Sequence, residues 1–580
     1  MLSPKYFLYW SIAPEGRISI NISSNPKIDA YFLRRSGCRE MYLLTPPQPI
    51  WIAEKLLARL NRYAPKNEAS NLPKMAKRLL KEIYPQKHAA VAKQNINDWQ
   101  LADIDVPDIK ALFWGRALLG TEIPELIKAN GYDLPWDPEN WLQYLCLHSE
   151  VRREAAVGLD DLGIPYCRRC GESKGINEGD CLFCGSRHCF TCTNCQSMGW
   201  AKSCIPLYSQ AYPDLTPIVS LVKPALDFGL TPPQARASLA LEKFLDTGEK
   251  QFLVWAVCGS GKTEVSFGIV AKVLSSGGRV LYAIPRKDVV VELLPRFQKA
   301  FPGLEIAVLY GGSGERFRDQ PLTIATTHQC LRFYRGFDLV ILDEADAFPY
   351  EGSAMLHYAV DRAVKDKGRL VIMTATPSQN WIHKATAGSL PYVSIPARYH
   401  RQPLIIPELL KEHFYLDKRA GPDWAPPGLI ADFILELKTN ARRRMIFLPT
   451  IQLIEEWGKL LVKWAHARGV PGGIAHSKVG RREEIKLSLL KGEILFVVAS
   501  TVFERGITLP DLDVLVMLAD EEEIYDSRTL IQIAGRVGRL GEKGRVIFAG
   551  KNISKSMVEA CRIIANMNRE GYRLGYLDHE

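Results

Sequence analysis

Two series of short apolar runs constrain this chain more than any other feature. Each run closes on small or polar residues, and most are followed by a stretch of helical periodicity. The first series reads QFLVWAV, RVLYAIP, LTIATT, FDLVILDEAD and RLVIMTAT, and the second RRMIFLPT, GGIAHSK, ILFVVAST, LDVLVML and GRVIFAG. Runs apolar on both faces belong to parallel strands covered by helices on either side, and strand–helix alternation makes βαβ crossovers. Segments between them, such as LIEEWGKLLVKWAHA, have the spacing of amphipathic helices. The expected class is therefore α/β, with two tandem parallel-sheet lobes at residues 209–395 and 396–580. A Pro/Gly-rich section, RAGPDWAPPG, reads as a loop near the start of the second.

At 580 residues the chain is too long for one core, which leaves room for units ahead of the lobes. A small Cys-rich module is expected at 161–208. Residues 1–160 form an N-terminal region of unknown fold, with helices predicted over Ile50–Leu60 and Pro73–Ile83 and basic patches that read as solvated surface. A formal charge of +10 favours polyanionic partners without selecting one. The opening stretch MLSPKYFLYWSIAPEG is broken by Pro14 and lacks a cleavage pattern, and no uncharged apolar run of about 18 residues follows. A cytoplasmic location without a transmembrane segment is expected, where thiols stay reduced.

AVCGSGKTE, residues 256–264, matches a phosphate-loop pattern with Ala256 in place of its first glycine, directly after the strand QFLVW. Gly259 and Gly261, flanking Ser260, let backbone N–H groups face phosphate oxygens. Lys262 is expected to reach the β- and γ-phosphates of ATP and Thr263 to ligate Mg²⁺. In FDLVILDEADAFP, Asp343 and Glu344 follow an apolar strand, and strand ends deliver side chains to the edge where nucleotides sit. Asp343 is expected to bind Mg²⁺ and Glu344 to polarise the attacking water. TATP places Thr374 and Thr376 after another strand, as a helix cap or as a relay to a second ligand. QIAGRVGR, in the second lobe, offers Gln532, Arg536 and Arg539. Arginines at i and i+3 share a face if helical and can reach a γ-phosphate across a cleft, so hydrolysis would depend on closure.

Eight of thirteen cysteines fall between residues 167 and 204. Cys167, Cys170, Cys181 and Cys184 make CxxC-x10-CxxC, which reads as one tetrahedral Zn²⁺ site with no open position. Cys189, Cys192, Cys195 and Cys204 form a second candidate set, with His188 as a substitute ligand. Four thiolates also suit an iron–sulfur cluster.

In this order the motifs of residues 212–560 resemble superfamily 2 helicases and translocases, which implies that both lobes are RecA-like. The resemblance implies an adenine contact for Gln234 in TPPQARASL. It also implies contacts to a nucleic-acid strand from Arg286 in AIPRKDVVVEL, Gly311 and Gly312 in YGG, Thr327 in TTHQ, Thr450 in FLPT and Thr501 in ASTVFERGIT, with Glu504, Arg505 and Gly506 coupling strand to nucleotide. Gln532 stands where DEAD-box RNA unwinders have His, and TAT replaces their SAT, which favours DNA. A cysteine module directly ahead of DEADAFPY, ERGIT and QIAGRVGR resembles the ComFA family of late-competence DNA-uptake ATPases. That resemblance implies an ATP-dependent single-stranded DNA translocase with the channel ComEC, ComFC and DprA as partners, working at the inner face of the plasma membrane. A PriA-like replication-restart helicase and a zinc-ribbon scaffold with ATP-gated partner binding are the alternatives. In PriA, however, the cysteines interrupt the motor.

Overall fold

The computed structural model describes residues 5–578 apart from 39, 64–70, 84–92, 95–108, 133–137, 148–150, 217–219, 415–423, 441, 477–481 and 501–508. Every run of both series becomes a strand. In lobe 1 seven parallel strands lie in the order Ile306–Leu309, Leu322–Thr326, Val280–Ile284, Phe337–Leu342, Val364–Thr374, Gln251–Ala256, Tyr392–Ile395. In lobe 2 six lie in the order Glu408–Lys411, Val546–Gly550, Leu512–Met517, Arg443–Phe447, Phe496–Ala499, Gly472–Ala475.

Continuous apolarity has the expected cause. Leu253, Leu281, Val340 and Leu342 point into one core, while their neighbours Val254, Tyr282, Leu339 and Ile341 point into another on the opposite face. Because the strands of each lobe are parallel, their carboxyl ends share one edge, and in lobe 1 the phosphate loop, DEAD and TATP follow strands there. The segment LIEEWGKLLVKWAHA is helical with a π turn at Ile454–Gly458.

The N-terminal region contains a sheet in the order Ile18–Ser23, Phe7–Ile12, Glu40–Leu43, Lys93–Gln94, with antiparallel pairing throughout. Ile50–Tyr63 and Leu72–Ile83 are helices, as their spacing predicts. No structural boundary falls at residue 160. Arg116–Leu119, Pro206–Gln210 and Arg152–Ala155 form one antiparallel sheet, so its strands come from both sides of that position. The cysteines also share an apolar core with Leu331, Phe333 and Leu356 of lobe 1.

Candidate active site and metal centre

Lys262 opens the helix Lys262–Ser275, so the phosphate loop sits at a helix N-terminus, where unpaired N–H donors and the dipole favour anions. Gly261 has φ +75°, and a Cβ there would lie 2.5 Å from Gln234 Nε2, so a side chain has no room. Gln234 caps its own helix and braces this loop. Its Oε1 accepts from the Thr231 N–H and hydroxyl at 2.9 Å each, and its Nε2 donates to the Ser260 carbonyl at 2.8 Å. Both ends of the amide expected at adenine are thus engaged by protein groups. Phe228, which the sequence reading passed over, lines the same cleft and is 57% exposed. The signal for it was an aromatic residue shortly before TPPQ.

Asp343 is buried at its strand end, its carboxylate accepting from the Tyr282 hydroxyl at 3.0 Å and the Glu344 N–H at 2.8 Å. Burial raises its carboxyl above the ordinary range, and the Lys262 charge opposes that shift. Glu344 holds φ +51°, a left-handed backbone that costs a non-glycine residue roughly 1–3 kcal/mol and is common at functional sites.

Lobe 2 completes the cleft. Gln532, Arg536 and Arg539 line the same cavity of about 630 Å³ as Lys262, Thr263, Asp343 and Glu344. The two arginines do not share a helix face, because the helix Ser527–Ala534 stops before them and they occupy the following turn. Gly535 lets that turn meet the phosphate loop, since a Cβ on it would lie 2.6 Å from Cys258 Cβ.

Asp346 was missed from sequence, where only the first two acids of DEAD were singled out. It accepts from the Thr374 hydroxyl at 2.6 Å, the Thr376 hydroxyl at 2.8 Å and the Gln532 amide at 2.9 Å, joining three motifs and both lobes. Thr374 and Thr376 therefore face an acid of the adjacent motif. Arg398, in the segment between the lobes, was also missed. It is buried and donates to the Cys258, Val537 and Gly535 carbonyls at 3.0, 2.8 and 2.9 Å, tying the phosphate loop to the arginine turn. Nothing local marked it, because its partners are backbone groups of distant segments.

Arg286, Gly311, Gly312 and Thr327 stand side by side at the ends of three adjacent strands. Gly311 and Gly312 are exposed, but Thr327 is fully buried, so its side chain offers no surface to a strand, and His328 is the more exposed residue of TTHQ. Thr450 is exposed and caps the helix that starts at Ile451. Thr501, Glu504, Arg505 and Gly506 lie outside the described residues.

The cysteines gather in two fours, but not in the expected grouping. Cys167, Cys170, Cys192 and Cys195 form one, and Cys181, Cys184, Cys189 and Cys204 the other, with all ligand atoms of each within 4.8 Å of one another. Strand geometry explains the crossing. Ile176–Gly179 runs between the two CxxC turns and pairs with Cys189–Cys192 so that Cys192 faces Ile176 and Cys189 faces Gly179. At about 3.3 Å per residue, Cys189 and Cys192 are carried roughly 10 Å apart and cannot share an ion. Sulfurs about 2.3 Å from a common zinc stand roughly 3.8 Å apart. Cys167–Cys195, Cys170–Cys192 and Cys181–Cys204 measure 3.8, 3.6 and 3.9 Å, so the donors fit zinc. His188 belongs to neither set and bonds Glu178 instead, at 2.7 Å.

A family description, competence protein ComFA N-terminal domain, matches residues 103–209. The curated Bacillus subtilis protein named competence protein ComFA is 35% identical over 404 residues, covering 69% of this chain and 85% of its own length. This chain belongs to the ComFA family. The Streptococcus pneumoniae ComFA is 37% identical over 347 residues, 59% of this chain and 78% of that one. Type III restriction enzyme res subunit and helicase conserved C-terminal domain descriptions match residues 227–379 and 428–541. The protein is accordingly an ATP-dependent superfamily 2 helicase motor acting on nucleic acid, with ComFA-type cysteines ahead of it. Replication restart protein PriA of Bacillus subtilis is 26% identical over 196 residues, 31% of this chain and 24% of its own. Among the described residues no helix is long and apolar enough to cross a membrane.

Proposed function

We propose that this protein hydrolyses ATP between its lobes to draw a single DNA strand into the cytoplasm during natural transformation. The observation that carries the reading is the composition of the cleft, to which both lobes contribute charged residues. A nucleotide held by Lys262 on one side and by Arg536 and Arg539 on the other favours closure, and its hydrolysis releases it. Asp343 and Thr263 would hold Mg²⁺, which supplies charge neutralisation at the β- and γ-oxygens. Glu344 orients the attacking water, and the two arginines take up the charge that develops on the γ-phosphoryl group. Asp346, bonded to both Gln532 and the Thr374–Thr376 pair, links the state of the cleft to the rest of the sheet edge.

Arg286, Gly311, Gly312 and Thr450 are the strand-facing positions, gripping phosphates in a salt-dependent and sequence-tolerant way. Each cysteine set closes around one Zn²⁺ and leaves no open position, which suits structure rather than catalysis. Kinship with the two ComFA proteins supports the setting in DNA uptake. Through that kinship alone the reading extends to ComEC, ComFC and DprA as partners and to a place at the inner face of the plasma membrane.

The test is Lys262→Ala in the host. Transformation should fail while growth stays normal, whereas a restart role would give a replication defect. With purified protein, single-stranded oligothymidine should accelerate ATP turnover. Equal turnover with and without it would leave only the scaffold reading.

A further inference from the structure

The turn that holds the first metal set, CRRC at Cys167–Cys170, is anchored to lobe 1 by both of its middle residues. Arg169 is fully buried, and its Nη2 donates to both oxygens of Glu122 at 3.3 Å. Glu122 lies in the turn after the strand Arg116–Leu119, where it also accepts from the Leu119 N–H at 2.9 Å. Its other neighbour is Arg332, whose Nε donates at 2.7 Å and whose Nη1 reaches Gln329 Oε1 at 2.5 Å. Arg332 closes the short helix Gln329–Arg332, the continuation of TTHQ. A second bridge runs in parallel. Arg362 donates to the Arg168 carbonyl at 3.0 Å and to the Leu331 and Phe333 carbonyls at 2.7 and 3.2 Å.

A carboxylate buried between two arginines is a weak source of stability, because desolvation offsets most of the attraction, yet it tolerates little displacement. Here it spans two parts of the chain with separate duties. We propose that Glu122, Arg169 and Arg332 form a positioning junction through which the Cys167–Cys170 turn sets the buried segment Thr326–Arg332 that carries the partly exposed His328 at the sheet edge beside Gly311 and Gly312, linking metal occupancy at that site to single-strand affinity. This rests on the reading that the TTHQ edge of lobe 1 faces a nucleic-acid strand.

Linkage is reciprocal, so either ligand reports on the other. Zinc affinity of the full-length protein, measured by chelator competition, should rise roughly tenfold at one of its two sites when oligothymidine saturates the protein, and zinc should tighten oligothymidine by the same factor. In Arg332→Met the Glu122–Arg169 pair remains neutral and buried, so the fold is retained while the linkage shrinks toward none. Glu122→Gln should abolish it as well. A merely structural role would lower the folded fraction and leave the ratio of affinities unchanged. The inference is overturned if oligothymidine binds the wild type without altering zinc affinity, or if Arg332→Met keeps the whole linkage. Failure of oligothymidine to bind at all would overturn the strand-motor reading too, and is seen separately in the same titration. Should Arg332→Met not fold, the wild-type comparison still decides.

Discussion

Lys262 and Arg536 meet in the motor cleft on two lobes, each built on a parallel sheet that is apolar on both faces. The eight cysteines meet in a module whose strands, such as Val157–Leu159 and Pro165–Cys167, are three or four residues long. In the first region burial places the chemistry before any ligand arrives. The second has little regular structure of its own and leans on lobe 1 for its core, and ligation of the two fours would supply folding energy. The contrast teaches that the same chain sets apolar layers under a cleft that takes a substrate, and gathers thiols that a metal would lock where residues must stay put.

Stripping the metal is the strongest way to break this contrast. Structural zinc contributes roughly 10–16 kcal/mol per site in small modules, so chelation should open residues 157–204 to protease while both lobes stay resistant. A module that resists protease without metal would remove the distinction. The double variant Cys167→Ser/Cys192→Ser should lower zinc from two ions per chain to one, since both thiols belong to one crossed set; loss of both ions, as the consecutive grouping of Cys167, Cys170, Cys181 and Cys184 requires, would contradict it.

Within the cleft, Arg536→Ala should lower kcat by about 10³-fold with ATP still bound, as expected for a cation that acts on the transition state. An effect on KM alone would mean that the arginine turn merely binds. Asp346→Asn should lower strand-stimulated kcat by about 10-fold, because hydrogen bonds to a charged acceptor contribute roughly 1.5–3 kcal/mol and three converge on this carboxylate. Retention of full stimulation would exclude it as the link between lobes.

The smallest effect concerns the N-terminal region, where the described residues group no metal-ligating side chains. Asp29 is fully buried, bonded by Ser23 and by Gln143 at 3.0 Å, and burial pushes its carboxyl up to about 6. The folded state therefore holds this proton more tightly than the unfolded chain. The stabilisation is complete below the unfolded value near 3.8 and is lost as pH rises through about 6. Between about pH 5 and about pH 7.5 this region should lose roughly 1 kcal/mol, read as a fall in its unfolding midpoint in denaturant. A midpoint independent of pH in that window would mean that Asp29 is charged in both states.

Much of the motor was legible because its signals are local. QFLVWAV becomes a central strand since a run apolar at every position has two faces to bury, and AVCGSGKT becomes a phosphate loop since its glycines take φ values that other residues avoid. The crossed cysteines were not legible, because CxxC spacing describes a turn and says nothing about which turn lies opposite. Thr327 looked available in TTHQ and proved buried, since exposure depends on what packs over a loop from elsewhere in the chain.

By itself, then, the amino-acid order determined the strands, the nucleotide loop, the acids that follow a strand and the presence of thiols suited to a metal, all of which follow from periodicity and from side-chain chemistry over a few residues. Only the tertiary structure decided that Cys192 stands with Cys167, that Arg536 and Arg539 lie in a turn, that Asp346 joins both lobes, and that Arg169 reaches Arg332 through Glu122. Those contacts depend on strand register and on the packing of segments far apart in the chain, and no local pattern encodes either.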